Sequence, residues 1–314
     1  MNDFSKRRYK ICDFSIETQL YNKYIDEYFY YRFFGFFHEF ISLYYINLCI
    51  KETIKVEGFN DLLHIVPVSD DLTYDIGDFN VNIINYKNYI VYDKRTHILT
   101  ICLQEKDHII EKIMGIKLVS TVLSLLLQKQ ILCIHGSCIK KTNTGILLLG
   151  NSGSGKTSLT LNFIANGATM TNDDATFIKY GNSFVAIKNT QMIGLTDEGI
   201  RDYFSYLSES IDFIDENKKN RIDLYKYNEN GYENYIEINK IIWISSDRGS
   251  TPLISELKKT KMIKNICTNI SVNKYLYYDV YLKMITELVF KCDNYILHPS
   301  NDLTQTFKYL NEEV

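Results

Sequence analysis

The sequence predicts an α/β fold that contains a phosphate-binding loop and begins with a β-rich subdomain. Two observations support this prediction. An apolar strand pattern at 145–150 runs directly into a glycine-rich octet that a helical pattern follows, and short alternating apolar runs occupy much of the region before residue 110. We therefore expect an N-terminal β-rich subdomain over residues 1–109 and an α/β domain that carries the loop over residues 110–314.

The composition is that of a folded protein without a strong charge bias. Hydrophobic residues make up 46% of the 314-residue chain, which is enough for a substantial core. The 35 basic and 38 acidic residues give a net charge of -3, so we expect no nucleic-acid partner. Seven cysteines without a framework spacing indicate reduced thiols, and we expect neither a disulfide scaffold nor a zinc site.

The first residues predict a cytoplasmic protein. MNDFSKRRYKICDF carries basic residues, but no apolar segment with a cleavage site follows it, so we expect no secretory signal. The apolar stretch from Phe33 to Ile50 contains His38 and Glu39, whose burial in lipid would be costly. We therefore expect a buried helix or strand pair there, and no membrane partner.

The remaining elements are predicted in chain order. Runs such as VNIINY and NYIVYD predict a mostly antiparallel sheet before the loop, and the dense apolar pattern that follows predicts a buried helix. A hairpin then leads into the octet, and the helix after the octet ends at Gly167. The predicted ranges are 110–130 and 156–166 for these helices, 131–141 and 145–150 for the first hairpin, 175–180 and 183–188 for a second one, 240–246 for a later strand and 275–292 for a terminal helix.

The octet has the sequence of a phosphate-binding loop, G-x-x-x-x-G-K-[ST]. Its glycines let backbone N–H groups converge on phosphate oxygens at the start of the next helix. We expect Lys156 to hold the β- and γ-phosphates and the Thr157 hydroxyl to bind the Mg²⁺ that arrives with the nucleotide. The predicted nucleotide-binding residues are Gly150, Asn151, Ser152, Gly153, Ser154, Gly155, Lys156, Thr157 and Ser158.

Two adjacent aspartates, Asp173 and Asp174, are predicted to return to this loop. They follow the helix, its glycine turn and the short strand ATMTN, and consecutive strand residues point to opposite sides. We expect Asp174 to hold Mg²⁺, directly or through water, and Asp173 to accept the proton of an attacking hydroxyl. His135, at the end of a strand in the hairpin, is either a packed side chain or a group that tunes Asp173.

These residues resemble the HPr kinase/phosphorylase family, which also includes serine kinases of lasso-peptide precursors. The resemblance lies in HGSCIKK and in GILLLGNSGSGKTSLTLNFIANGATMTNDD, and it covers residues 131–195. It implies a kinase core related to that of phosphoenolpyruvate carboxykinase, with ATP and Mg²⁺ as cofactors. It also implies Asp173 as the catalytic base with His135 in support, and a serine of a peptide or small protein as the phosphate acceptor.

One departure from the family bears on the activity. Residues 191–195 lack the Glu-Arg-Gly-type signature that is linked to phosphorolysis, so we expect a kinase without phosphorolysis. The length of the chain and its β-rich start before residue 131 resemble the peptide-kinase branch more than HPr kinase itself. Two alternatives stay open: a kinase of a small molecule such as an amino acid, and a nucleotide-binding sensor without transfer activity. Arg248 is either a clamp for phosphate or an ordinary exposed arginine. The oligomeric state is also open.

Overall fold

The structure of the protein is a computed structural model with a mixed α/β fold, as the sequence predicts. It consists of two compact units, Met1–Leu125 with Val272–Tyr278 and Leu126–Ser271 with Asp279–Val314. None of the described helices is long and apolar enough to cross a membrane. The structure describes residues 5–11, 14–33, 48–53, 73–85, 87–104, 107–188, 192–214, 219–224, 228, 230–268 and 277–313.

The first unit contains a sheet whose seven described strands have the order β1-β2-β3-β7-β6-β5-β4. Most neighbouring strands are antiparallel, as predicted, but β3 is parallel to both β2 and β7. Residues 34–47, which make up most of the apolar stretch before β3, lie outside the described residues. The elements are β1 (Ser5–Ile11), β2 (Phe14–Leu20), α1 (Lys23–Phe33), β3 (Leu48–Thr53), β4 (Thr73–Ile76), β5 (Phe79–Asn85), β6 (Asn88–Asp93), β7 (Ile98–Leu103) and α2 (His108–Leu127).

Helix α2 is the buried helix that the sequence predicts at 110–130. It begins after Asp107, whose carboxylate accepts a hydrogen bond from the Ile109 backbone N–H and so caps the helix. Its Thr121 hydroxyl accepts a hydrogen bond from Asn82 of β5, which ties the helix to the first sheet. Sequence reasoning set the domain boundary at 109/110, before this helix, whereas the compact units divide near its end.

The second unit contains a larger sheet with the order β16-β12-β11-β8-β9-β17-β19-β18, with β10 also paired to β8. A small separate sheet has the order β13-β15-β14. The elements are β8 (Ile131–Lys141), β9 (Thr144–Gly150), α3 (Lys156–Ala165), β10 (Thr169–Asn172), β11 (Ala175–Tyr180), β12 (Phe184–Ile187), β13 (Met192–Leu195), α4 (Asp197–Tyr203), a 3-10 helix (Ser205–Ser210), β14 (Ile211–Ile214), β15 (Asn220–Asp223), β16 (Tyr235–Glu237), β17 (Lys240–Ile244), β18 (Leu253–Glu256), α5 (Lys259–Thr268), α6 (Tyr278–Lys291), β19 (Asp293–His298) and α7 (Leu303–Glu313).

The middle of the larger sheet brings the glycine-rich loop after β9 to one edge. Strands β8 and β9 form the predicted hairpin, and β9 is parallel to β17, which is parallel to β19. The carboxyl ends of the three parallel strands therefore meet at the same edge, with Gly150 beside Ile244. Ligands of open sheets with parallel strands bind at this edge, where loops leave the strands.

The core of the second unit packs the larger sheet against α3. Apolar residues alternate into this core from β9 and β17, and α3 contributes Leu161 and Phe163, both nearly inaccessible to solvent. Leu148 of β9 is 1% exposed, two residues before the loop begins. The loop is therefore fixed to a well-packed strand on one side and to a buried helix on the other.

Truncation of Leu148 tests this packing. We expect Leu148→Ala to lower the free energy of unfolding by about 2–5 kcal/mol, because the cavity it leaves lies in a close-packed core. Leu253→Ala is the control, since Leu253 is 57% exposed; its effect should be below about 0.5 kcal/mol. Urea unfolding measures both, and equal losses would contradict the placement of Leu148.

Candidate functional site

The loop between β9 and α3 depends on glycines at three positions. A β-carbon at Gly150 would lie 2.6 Å from the Ser154 hydroxyl and 2.7 Å from the Ile244 carbonyl oxygen, so only glycine fits there. Gly153 and Gly155 have φ angles of 77° and 100°, in the region that favours glycine. Gly155 is also the N-cap of α3, so the backbone turns sharply into the helix at this residue.

Lys156 lies buried over this loop. Its ammonium donates hydrogen bonds to the backbone oxygens of Gly150 and Asn151, each at 2.9 Å, and the residue is only 7% exposed. Burial lowers the pKa of Lys156, although the charges of Asp173 and Asp174 oppose the shift. Two backbone carbonyls thus hold a desolvated cation over the loop, and phosphate oxygens could replace them as acceptors.

Asp173 lies against the start of α3. Strands β10 and β11 both pair with β8, and the two aspartates occupy the turn between them. The Asp173 carboxylate accepts hydrogen bonds from the hydroxyls of Ser137 on β8 and Thr157 on α3, the latter at 2.8 Å. Its burial, together with the neighbouring charge of Asp174, raises the pKa of Asp173. The buried carboxylate therefore joins the loop helix to the central strand.

Asp174 points to a different set of partners. Its φ of 69° is left-handed, a conformation that aspartate adopts more readily than most residues. The carboxylate meets the Arg221 guanidinium at 3.2 Å and the Lys219 ammonium at 3.7 Å. Burial alone would raise the pKa of Asp174, but the charges of Lys219 and Arg221 outweigh burial and lower it. The adjacent aspartates thus have separate surroundings.

His135 contacts the backbone of this turn. Its Nδ1 lies 2.8 Å from the backbone oxygen of Asp174, which also accepts a hydrogen bond from the Gly136 N–H. Because a carbonyl oxygen only accepts, Nδ1 carries the proton in this hydrogen bond. Burial and the charge of Lys156 lower the pKa of His135. His135 therefore supports the backbone of the aspartate turn, while the hydrogen bonds to the Asp173 carboxylate come from two hydroxyls.

The other predicted loop residues differ in exposure. Asn151, Ser152 and Gly153 are exposed at the tip of the loop, and Ser158 is half-buried in the first turn of α3. Arg248 is exposed on the segment that follows β17. Ser154 is buried, and its hydroxyl has no hydrogen-bond partner among the described residues. An unpaired buried hydroxyl inside the loop fits a site that a polar ligand completes.

Three site residues were missed by sequence reasoning. Ser137 is two positions from His135 on β8, so the alternation of side chains along a strand was an available signal. Lys219 and Arg221 lie in the basic run NKKNRID at 217–223, whose pattern is that of a solvated segment. Nothing local indicates that these two cations reach Asp174, which is 47 positions before Arg221.

The oxygen ligands at the loop fit a magnesium nucleotide. Mg²⁺ prefers oxygen and usually takes one or two protein ligands beside phosphates and water. The Thr157 hydroxyl lies 2.8 Å from the Asp173 carboxylate, with Asp174 next along the chain. The Thr157 hydroxyl and the Asp173 carboxylate stand at the N-terminus of α3, where the helix dipole favours bound anions.

Comparison with known proteins yields a distant structural likeness. No protein-family model matches the chain, and no curated protein matches it by sequence. Among solved structures, the chain is similar to the Hpr(Ser) kinase/phosphatase from Coxiella burnetii, with 15% identity and a TM-score of 0.33. The match covers 58% of this chain and 95% of that one. At this TM-score, the likeness assigns neither an activity nor a substrate to this chain.

Replacement of two glycines tests the loop geometry. We expect Gly155→Ala to lower the free energy of unfolding by about 1–2 kcal/mol, because an L-residue is strained in the left-handed region. No atom lies within 4 Å of the β-carbon position at Gly155, so the loss would come from the backbone alone.

Gly181→Ala is the matched control. Its β-carbon position is equally open, but its φ lies outside the left-handed region. Its effect should stay below about 0.5 kcal/mol. Denaturant unfolding of both variants decides the matter, and equal stability of the two would contradict the left-handed turn at Gly155.

Proposed function

We propose that the protein is an ATP-dependent kinase that transfers the γ-phosphoryl group to a serine hydroxyl of a peptide or small protein. The observation that carries this proposal is the hydrogen bond from Thr157 to the buried Asp173 carboxylate. It joins a glycine-rich loop and its lysine to a carboxylate with a raised pKa, which suits a proton acceptor. These are the groups that phosphoryl transfer to a hydroxyl requires.

The contacts of each residue support a proposed role for it. The backbone N–H groups of the loop and the Lys156 ammonium bind the β- and γ-phosphates of ATP. Asp173 orients the acceptor hydroxyl and takes its proton, and His135 holds the aspartate turn through the backbone oxygen of Asp174. Catalysis then consists mainly of alignment and charge neutralisation around the γ-phosphate.

The magnesium ligands in this proposal are Thr157 and Asp174. Bound Mg²⁺ would neutralise charge on the β- and γ-phosphate oxygens. The Asp174 carboxylate forms ion pairs with Arg221 and Lys219, and binding of the metal would replace these contacts.

The serine acceptor rests on the resemblance of residues 131–195. Two other functions remain to be distinguished from it. A small-molecule kinase would use the same groups and differ only in its acceptor. A nucleotide sensor without transfer needs the loop and a metal ligand, but it has no use for a buried carboxylate with a raised pKa beside the loop.

Transfer of labelled phosphate from ATP tests the proposal. The purified protein, with Mg²⁺, should label members of a panel of serine-containing peptides and small proteins, and label free amino acids poorly. We expect Asp173→Asn to transfer at a rate reduced by a factor of about 10²–10⁴, the usual contribution of a general base, while ATP binding persists. Lys156→Ala should lose ATP binding itself.

Asp247→Asn is the control for the loss of one carboxylate, because Asp247 is exposed on the segment after β17. This variant should transfer phosphate at the same rate as the unaltered protein. Equal rates for Asp173→Asn and the unaltered protein would refute the role of Asp173. Tight ATP binding without labelling of any acceptor would favour the sensor.

A further inference from the structure

Two cations from the small sheet converge on the aspartate turn. Arg221 Nη1 lies 3.2 Å from one oxygen of the Asp174 carboxylate, and Lys219 Nζ lies 3.7 Å from the other. The three side chains are partly buried, with exposed fractions of 13% for Arg221, 31% for Lys219 and 24% for Asp174. This is an ion-pair cluster at the edge of the candidate site, and the proposed roles above do not use its cations.

The register of the small sheet directs both cations to one side. Asn220 and Ile222 of β15 are buried, and alternation along a strand places Lys219 and Arg221 on the opposite face. In the neighbouring strand β13, Gly194 pairs directly with Arg221. A β-carbon at Gly194 would lie 2.7 Å from Nη1 of Arg221, so the absence of a side chain there makes room for the guanidinium.

Three cations surround the two aspartates. Among the described residues at this site, Lys156, Lys219 and Arg221 face Asp173 and Asp174. His135 borders the same cluster through its hydrogen bond to the backbone oxygen of Asp174. Such a site is suited to an anion that brings several oxygens.

We propose that Lys219 and Arg221 form a clamp for the terminal phosphoryl group of the nucleotide, and that Asp174 holds the clamp in place before the nucleotide binds. This inference rests on the proposed kinase function. A guanidinium binds two phosphate oxygens at once, and its charge counters the negative charge that the γ-phosphate carries during transfer.

The clamp takes no part in bond making. During transfer, the bond between the γ-phosphorus and the bridging oxygen breaks, and a bond from the acceptor oxygen to that phosphorus forms. The hydroxyl proton passes to Asp173, and ADP carries away the bonding electron pair. Lys219 and Arg221 bind the group that moves, and therefore they should distinguish ATP from ADP.

Equilibrium binding of a non-hydrolysable ATP analogue and of ADP, each with Mg²⁺, tests the clamp without turnover. We expect Arg221→Ala to lower the affinity for the ATP analogue by about tenfold or more, because a charge-assisted hydrogen bond is lost. Its affinity for ADP should change by less than about threefold. Lys219→Ala should act in the same direction with a smaller effect, since its ion pair is longer and more exposed.

Gly194→Ala is the more specific test of the clamp, because this substitution removes no charged group. The new methyl group should displace the guanidinium and reproduce the selective loss for the ATP analogue. Gly199→Ala is its matched control, since the β-carbon position there meets its nearest atom at 3.4 Å, an ordinary contact. Arg221→Lys keeps the charge and should retain part of the preference for the ATP analogue.

The results of these binding experiments either support or overturn the clamp. The clamp is supported if Arg221→Ala and Gly194→Ala selectively lower the affinity for the ATP analogue. If the affinities for both nucleotides fall equally, or if neither falls, the clamp is overturned. The kinase proposal is then retained if the unaltered protein still labels an acceptor. If the unaltered protein binds neither nucleotide, the kinase proposal fails and the clamp fails with it. If Arg221→Ala does not fold, Gly194→Ala and Arg221→Lys give the answer.

Discussion

The arrangement of the site depends on one buried carboxylate and the two hydroxyls that hydrogen-bond to it. Burial of a carboxylate is costly unless donors compensate the lost water. Asp173 receives those donors from Ser137 on the central strand β8 and from Thr157 in the first turn of α3. The glycine-rich loop is therefore held between β9, α3 and the aspartate turn, and Lys156 and His135 lie in the same site.

The different surroundings of the adjacent residues Asp173 and Asp174 shift their pKa values in opposite directions. Asp173 is enclosed with neutral hydroxyl donors, so burial raises its pKa, whereas Asp174 meets two cations that lower its pKa. The separation arises from the backbone, because the left-handed φ of Asp174 turns its carboxylate toward β15. Environments that separate two pKa values in this way allow one carboxylate to accept a proton while its neighbour stays ionised.

The sequence predicts the local part of the site well and the long-range part poorly. The hairpin β8–β9, the loop and α3 follow from strand and helix patterns and from glycine spacing, all within residues 131–165. Which aspartate lies beside Thr157 depends on an irregular register between β10 and β8 and on one left-handed residue, and neither has a periodic signature. The cations of β15 come from a different sheet, and only the tertiary fold brings them to Asp174.

A crystal structure with Mg²⁺ and a non-hydrolysable ATP analogue would show whether the nucleotide binds at this loop. We expect the terminal phosphates inside the turn formed by 150–157, with Lys156 bound to phosphate oxygens in place of the loop carbonyls. We also expect the metal beside the Thr157 hydroxyl, with Asp173 still hydrogen-bonded to that hydroxyl. A nucleotide bound elsewhere, or an Asp173 side chain turned away from Thr157, would contradict these expectations.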